Sequence, residues 1–247
     1  MQNEEEQAVE LKGNPQSAGN NCQLSMVNCQ LKEIKTQLRL AMNGFASTTM
    51  RESGIAYKLN FGVELPRIKQ IAAQFEKNHD LAQALWKENI RECKILAGML
   101  QPVETFYPEI MDIWIEAMPT VEMAEMTCMH LFQYLPYAPQ KSLQLIANEG
   151  EYQQICGYLI IARLLAKKGD LEERVENELL DQAVVSFIAG SYHVRKAVQT
   201  ALKKYMAGNE QHAFTLCRLV EPLKDSPDEQ AKQLWRWVMQ EVEINFS

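Results

Sequence analysis

The sequence contains little glycine and proline, with 11 and 9 residues out of 247. Because these two residues supply most tight turns, their scarcity argues against a turn-rich β fold and favours long helices. No run of apolar residues is long enough to cross a bilayer, and residues 1–6 have neither the basic nor the apolar region of a signal peptide. We therefore predict a cytoplasmic protein that does not contact a membrane.

The sequence also lacks the short motifs that mark several kinds of catalytic or metal site. It has no glycine-rich phosphate loop, no Cys-x-x-Cys pair and no His-Glu-x-x-His segment. Cys128 and His130 are two residues apart, which on a helix turns their side chains to different faces. The six cysteines are scattered, as is common for reduced and mostly buried thiols. We expect no metal and no cofactor.

Negative charge is concentrated at the two ends of the chain, whose formal net charge is −7. Residues 1–21 contain four acids and one lysine, and residues 221–247 contain six acids and three bases, so the middle carries a net charge of only −1. An acidic chain argues mildly against a nucleic-acid-binding protein. A near-neutral middle still leaves room for a local basic face.

Apolar residues recur three and four positions apart along most of the chain, the spacing that places them on one face of an α-helix. Pro66 suits the first turn of one such helix, Asp80 is a candidate N-cap of the next, and Thr105 of another. No segment alternates as a β-strand does. Ser47-Thr48-Thr49 can cap a short helical turn towards Gly54. The predicted helices cover residues 22–45, three short segments between 66 and 102, and then 106–118, 121–132, 141–147, 152–167, 172–186, 194–205, 210–220 and 228–244.

Successive short amphipathic helices with brief connections pack as antiparallel neighbours. The sequence therefore predicts an all-α fold, a solenoid of five or six HEAT-like helix pairs. Residues 1–21 are polar and predict a flexible N-terminal tail. Residues 22–247 are predicted to form a single solenoid domain.

Two central segments, NFGVELPRIKQIA and DLAQALWKENIRECKILAGML, resemble a known family. That family is the DNA alkylation repair glycosylases built from HEAT-like repeats. The resemblance is good over residues 57–102 and continues more faintly to about residue 221. It is carried by three short groups of residues: Phe61-Gly62-Val63, Leu85-Trp86 and Arg91-Glu92.

The resemblance implies a DNA glycosylase that hydrolyses the bond to N3- or N7-alkylated purines without a cofactor. In the family a carboxylate stabilises the positive charge that grows on the sugar, and Glu125 stands at its position. The aromatic expected one turn earlier is Val121, and a second expected aromatic is Thr200. A phosphate-binding arginine falls near Ile155, with Tyr152 one turn before it. The altered positions imply reduced or lost activity.

Glu125 is also consistent with an ordinary solvent-exposed helix acid, and Glu122 is expected to lie on the surface. Residues 102–140 contain six acids and no lysine or arginine. Such a segment would repel DNA unless basic residues of other helices lie over it.

A basic helix supplies the opposite indication, because residues 191–205 contain four basic residues and no acid. Lys196, Thr200, Lys203 and Lys204 lie near one face, where cations could neutralise phosphates. Arg195 and Tyr152 are further candidates for contact with the DNA backbone, and Arg163 and Lys167 would extend the basic stripe. The alternative is a solvated face, with Lys203 and Lys204 placed favourably at a helix C-terminus.

Two functions remain open on the sequence alone. The first is a DNA-binding member of the alkylation repair family that contacts duplex DNA through its phosphates. The second is a non-catalytic scaffold that binds a protein partner on its concave face, which solenoids offer. A fold by itself does not choose between them.

Overall fold

The computed structural model describes residues 15–55, 57–168 and 172–246, with side chains from residue 23 onward except at Lys168. These residues form no β-strand, and only an isolated bridge pairs Leu59 with Ile90. The predicted all-α fold is confirmed. The helices are α1 Pro15–Leu40, α2 Gly44–Glu52, α3 Leu65–Ala72, α4 His79–Lys87, α5 Arg91–Leu100, α6 Pro108–Glu116, α7 Val121–His130, α8 Ala138–Ile146, α9 Glu151–Lys168, α10 Glu173–Ala189, α11 Tyr192–Met206, α12 Glu210–Val220 and α13 Glu229–Phe246.

The first predicted helix ends earlier in the structure, and the short helical turn predicted after it is the helix α2. α1 ends at Leu40, and Asn43 caps α2 by accepting a hydrogen bond at Oδ1 from Ala46 N, at 3.1 Å. α1 also begins at Pro15, seven residues before the predicted start, because proline is tolerated in the first turn of a helix. The rest of the predicted tail, residues 1–14, lies outside the described residues, so the division into tail and domain stays a prediction.

Several other helix boundaries differ from the prediction for local reasons. Asn78, not Asp80, caps α4 by accepting from Leu81 N at 2.9 Å. Thr105 ends a short 3₁₀ turn, and α6 starts later, at Pro108. Pro139 does not bar α8 but lies in its first turn, where its missing N–H costs nothing. The predicted C-terminal cap at residues 169–170 lies outside the described residues.

The helices form two layers, as paired helical repeats require. α3, α5, α7, α9 and α11 pack side by side in sequence, and we call this set the front layer. Their partners from α4 to α12 form the back layer, in which α4 packs on α5, α8 on α9 and α10 on α11. α1 covers α3 and α4 at one end, and α13 packs on α10 and α12 at the other. The predicted stack of helix pairs is confirmed.

The core lies between and within these layers. Trp86 of α4 and Trp114 of α6 stack with ring centroids 4.0 Å apart, and Phe106 meets Trp114 edge to face at 4.9 Å. Both tryptophans are buried, as their positions on apolar helix faces predicted. None of the helices in the described ranges is both long and apolar enough to traverse a bilayer.

Candidate nucleic-acid interface

The start of α7 places two carboxylates one turn apart. Thr120 caps the helix by accepting a hydrogen bond at Oγ1 from Met123 N, at 3.3 Å. Glu122 and Glu125 follow at a spacing that puts them on adjacent parts of one face. The structure gives these two acids different surroundings.

Glu122 does not lie free on the surface, and the prediction that it would is wrong. Its carboxylate accepts hydrogen bonds from Arg91 Nε at 3.0 Å and from the Tyr57 hydroxyl at 2.7 Å. Burial alone would raise the pKa of Glu122, but the hydrogen bonds and charge of Arg91, aided by Tyr57, outweigh it and lower that pKa. Glu122 is therefore a structural anion that fixes the start of α7 against α5.

Glu92 forms the second half of this buried network. The Glu92 side chain is 0% exposed, and its carboxylate accepts from Phe61 N at 3.1 Å and from Val63 N at 3.2 Å. Arg91 donates from Nη1 to Val63 O at 3.3 Å. Two of the three short sequence groups that carried the family resemblance are thus one structural unit, in which α5 holds the loop before α3.

Gly62 is required at the centre of that loop. Its φ is +68°, in the left-handed region that glycine adopts most easily. A Cβ on Gly62 would lie 2.2 Å from the backbone oxygen of Asn43. The loop therefore runs directly against the N-terminus of α2, and no larger residue fits there without movement of backbone.

Glu125 is exposed and lies where three front-layer helices meet. Partial burial and the neighbouring Glu122 raise the pKa of Glu125, whereas Arg163 of α9 and His193 of α11 oppose that rise. An acid, a guanidinium and an imidazole from α7, α9 and α11 therefore share one electrostatic environment. This is the carboxylate that the family resemblance selected.

The structure also places the other family positions. Val121 is half-buried against the core, Ile155 is only 1% exposed, and Thr200 is exposed on α11. Tyr152 is half-buried and shares a helix stripe with Arg163, which lies two turns beyond Ile155. Arg163 is the arginine that acts electrostatically on Glu125, whereas the position near Ile155 at which the resemblance places a phosphate-binding arginine stays a prediction.

The basic residues of α11 divide into engaged and free side chains. Arg195 donates to the Gly190 oxygen at 2.7 Å and so caps the preceding helix, while Lys203 pairs with Glu241 at 2.7 Å. Lys196 and Lys204 are exposed and form no ion pair within the part of the chain that the structure describes. Lys196 lies 5.7 Å from the ring of Tyr192.

These residues define what we call the inner face. On α11, His193, Lys196, Thr200 and Lys204 follow one another at spacings of three and four, so they share a stripe. His193 lies within electrostatic reach of Glu125, which joins this stripe to α7 and α9. The inner face consists of Glu125, Arg163, His193, Lys196, Thr200 and Lys204. In residues 15–55, 57–168 and 172–246, no group of three or more His, Cys, Asp or Glu side chains could hold a metal ion.

A two-layer stack of antiparallel helix pairs with an open, polar front layer defines an α-solenoid of the HEAT-like type. A family model described as DNA alkylation repair enzyme matches residues 34–215. The chain belongs to the DNA alkylation repair enzyme family. The match extends well beyond the central segments in which the resemblance was strongest and confirms it.

Among solved structures, one similar chain superposes with a TM-score of 0.72 at 15% sequence identity. The superposition covers 87% of this chain and 94% of the other. The other protein is described as a member of a new family of proteins related to the HEAT-like repeat DNA glycosylases, with affinity for branched DNA structures. At this identity the likeness establishes the fold. No curated protein matches the sequence.

Proposed function

We propose that this protein binds DNA through contacts between its inner face and the DNA phosphates. The observation that carries the proposal is a pair of exposed lysines on α11, Lys196 and Lys204, which form no ion pair with any described residue. Arg163 on α9 adds a third cation to the inner face. Eight residues of helix separate the lysines by about 12 Å. Duplex DNA carries one charge per ~1.7 Å of axis, so several phosphates fall within reach of such a stripe.

The acidic segment 102–140 opposes DNA binding less than its composition predicts. Glu122 is neutralised by Arg91, and Asp112 pairs with Lys141 at 2.8 Å. The charge of Glu125 is opposed in part by that of Arg163. The affinity of the structurally similar protein for branched DNA supports the same substrate class.

The proposal is tested by fluorescence anisotropy of labelled duplex and branched DNA over a range of salt concentrations. The variant is Lys196→Glu/Lys204→Glu. Loss of two phosphate contacts should reduce the slope of log affinity against log salt by about 2. Between 50 and 200 mM salt, the variant should therefore lose roughly tenfold less affinity than the wild type does. Charge reversal adds repulsion, so binding at low salt should fall further.

Lys32→Glu/Lys87→Glu is the matched control, because it makes the same charge change on exposed residues of α1 and α4, away from the front layer. Its affinity should remain close to that of the wild type. Equal losses in both double variants would show a non-specific charge effect and reject the inner face. No binding by the wild type, even at low salt, would contradict DNA binding and leave the protein-scaffold interpretation.

A second proposal concerns catalysis and rests on Glu125. A carboxylate near a cationic sugar-like transition state stabilises it electrostatically, and Glu125 already lies beside Arg163, which could hold the adjacent phosphate. With Val121 and Thr200 in place of aromatics, we expect slow release of alkylated purines. Release measured from methylated DNA should be abolished in Glu125→Gln and unchanged in Glu116→Gln, an exposed acid of the back layer. Equal release by both variants would remove Glu125 from this role.

A further inference from the structure

A groove of about 670 Å³ opens where α3, α5 and α7 end, at one edge of the front layer. Lys69 and Lys77 line the groove as its basic residues. His130 of α7 lines it as well. Phe75 and Met129 supply apolar wall, and no acid is among the described residues that line the groove. Cations and apolar surface from separate helices therefore meet in one concave site.

Tyr134 lies at the mouth of the groove. Its side chain is 56% exposed, and Lys167 Nζ lies 4.2 Å from the centroid of its ring. A cation at this distance interacts favourably with an aromatic face. Since more than half of the tyrosine remains exposed, Tyr134 offers an aromatic platform next to a positive charge.

Arg163 links the groove and the inner face electrostatically. Arg163 influences both Glu125 on the inner face and His130 in the groove. Among the described residues, Arg163 Nε and His130 Nε2 are buried without a hydrogen-bond partner. Burial, Lys69 and Arg163 lower the pKa of His130 to about 4, so at neutral pH this imidazole is uncharged.

We propose that this groove binds a single-stranded segment of DNA, next to the duplex on the inner face. Aromatic stacking on Tyr134 together with backbone contacts to lysines is the combination by which proteins hold single strands without reading their sequence. The inference rests on the proposed function, since it assigns a second part of one branched DNA to a second site. A fork, in which duplex and single strands meet, would occupy both.

The test compares two labelled DNAs, a duplex and the same duplex extended as a fork with oligothymidylate arms. The groove variants are Lys69→Glu/Lys77→Glu and Tyr134→Ala, all at half-buried or exposed sites where folding should be retained, as checked by circular dichroism. Each should weaken fork binding by at least about tenfold. Their duplex binding should stay within about twofold of the wild type, whereas Lys196→Glu/Lys204→Glu should lose both DNAs.

Other outcomes separate this inference from the proposed function. If both groove variants bind the fork as the wild type does, the groove inference is rejected and the inner face stands. If they lose fork and duplex equally, the groove belongs to the duplex surface and has no single-strand role. Failure of the wild type to bind either DNA overturns both proposals. Binding of polyglutamate but not oligothymidylate in the groove would reassign it to an acidic protein partner.

Discussion

The buried carboxylate of Glu92 allows a quantitative prediction. Its oxygens receive the backbone N–H groups of Phe61 and Val63, and no water reaches the 0% exposed side chain. Glu92→Ala would leave both donors buried and unpaired. Each such donor costs about 1–3 kcal/mol, so we expect the free energy of unfolding to fall by about 2–6 kcal/mol.

Glu92→Gln separates the charge from the hydrogen bonds. Glu92 Oε1 accepts from both backbone donors, and a glutamine oxygen in that place could keep both bonds. Hydrogen bonds to a charged group contribute about 1.5–3 kcal/mol and neutral ones about 0.5–1.5 kcal/mol, so with two bonds this variant should lose about 2–3 kcal/mol. The predicted order of stability is wild type, then Gln, then Ala.

Urea unfolding followed by far-ultraviolet circular dichroism measures the loss, and hydrogen exchange locates it. The amides of Phe61 and Val63 should lose protection first, because they lose their acceptor. Glu88→Ala is the control. Glu88 pairs with Lys35 at 3.0 Å, and both side chains are about a quarter exposed. Such ion pairs contribute under about 1 kcal/mol to stability. If Glu92→Ala costs no more than Glu88→Ala, the loop is not held by this carboxylate.

Two further predictions follow from the backbone and from His130. Gly62→Ala should lower the free energy of unfolding more than Gly208→Ala does. Both glycines have a positive φ, which costs an alanine roughly 1–2 kcal/mol. Of the two, only Gly62 has backbone atoms in contact with a new Cβ, which adds about 1–3 kcal/mol. Equal unfolding midpoints for the two variants in urea would contradict this packing. The pKa of His130 is about 4 in the folded protein and ~6.5 in the unfolded chain. As the pH drops, the unfolded chain therefore binds the proton first. The free energy of unfolding should fall between about pH 6.5 and pH 4. His130→Gln should flatten that part of the curve of melting temperature against pH, and superimposable curves would refute it.

Helical periodicity predicted most of the fold because the apolar stripes are local. α12 was predicted over the residues it occupies, 210–220, and α7, α9 and α13 to within two residues. The break between α1 and α2 was predicted too late, after residue 45 rather than after Leu40, because the apolar spacing runs on to Met42. That break depends on a distant contact, in which Asn43 N donates to Phe61 O at 2.9 Å.

The candidate site was predicted less completely, because its partners are far apart in sequence. Glu122 was expected on the surface, yet Arg91 and Tyr57, 31 and 65 residues away, enclose it. Arg163 could be assigned to Glu125 only once α7 and α9 were seen packed together. Arg91-Glu92 and Phe61-Gly62-Val63 were singled out from the sequence, and their shared network explains why both stretches carry the resemblance.

The stacked pair of Trp86 and Trp114 gives the protein an optical signature. Their ring planes are 2° apart at a centroid distance of 4.0 Å, so the two indoles should couple as an exciton and produce a paired positive and negative band in circular dichroism. Trp235 and Trp237 lie on the last helix, far along the stack, and should emit independently. The exciton band thus reports on the first helix pairs alone, whereas far-ultraviolet circular dichroism reports on all helices. Loss of the exciton band before the helical signal during denaturation would show that the solenoid opens from its first helix pairs.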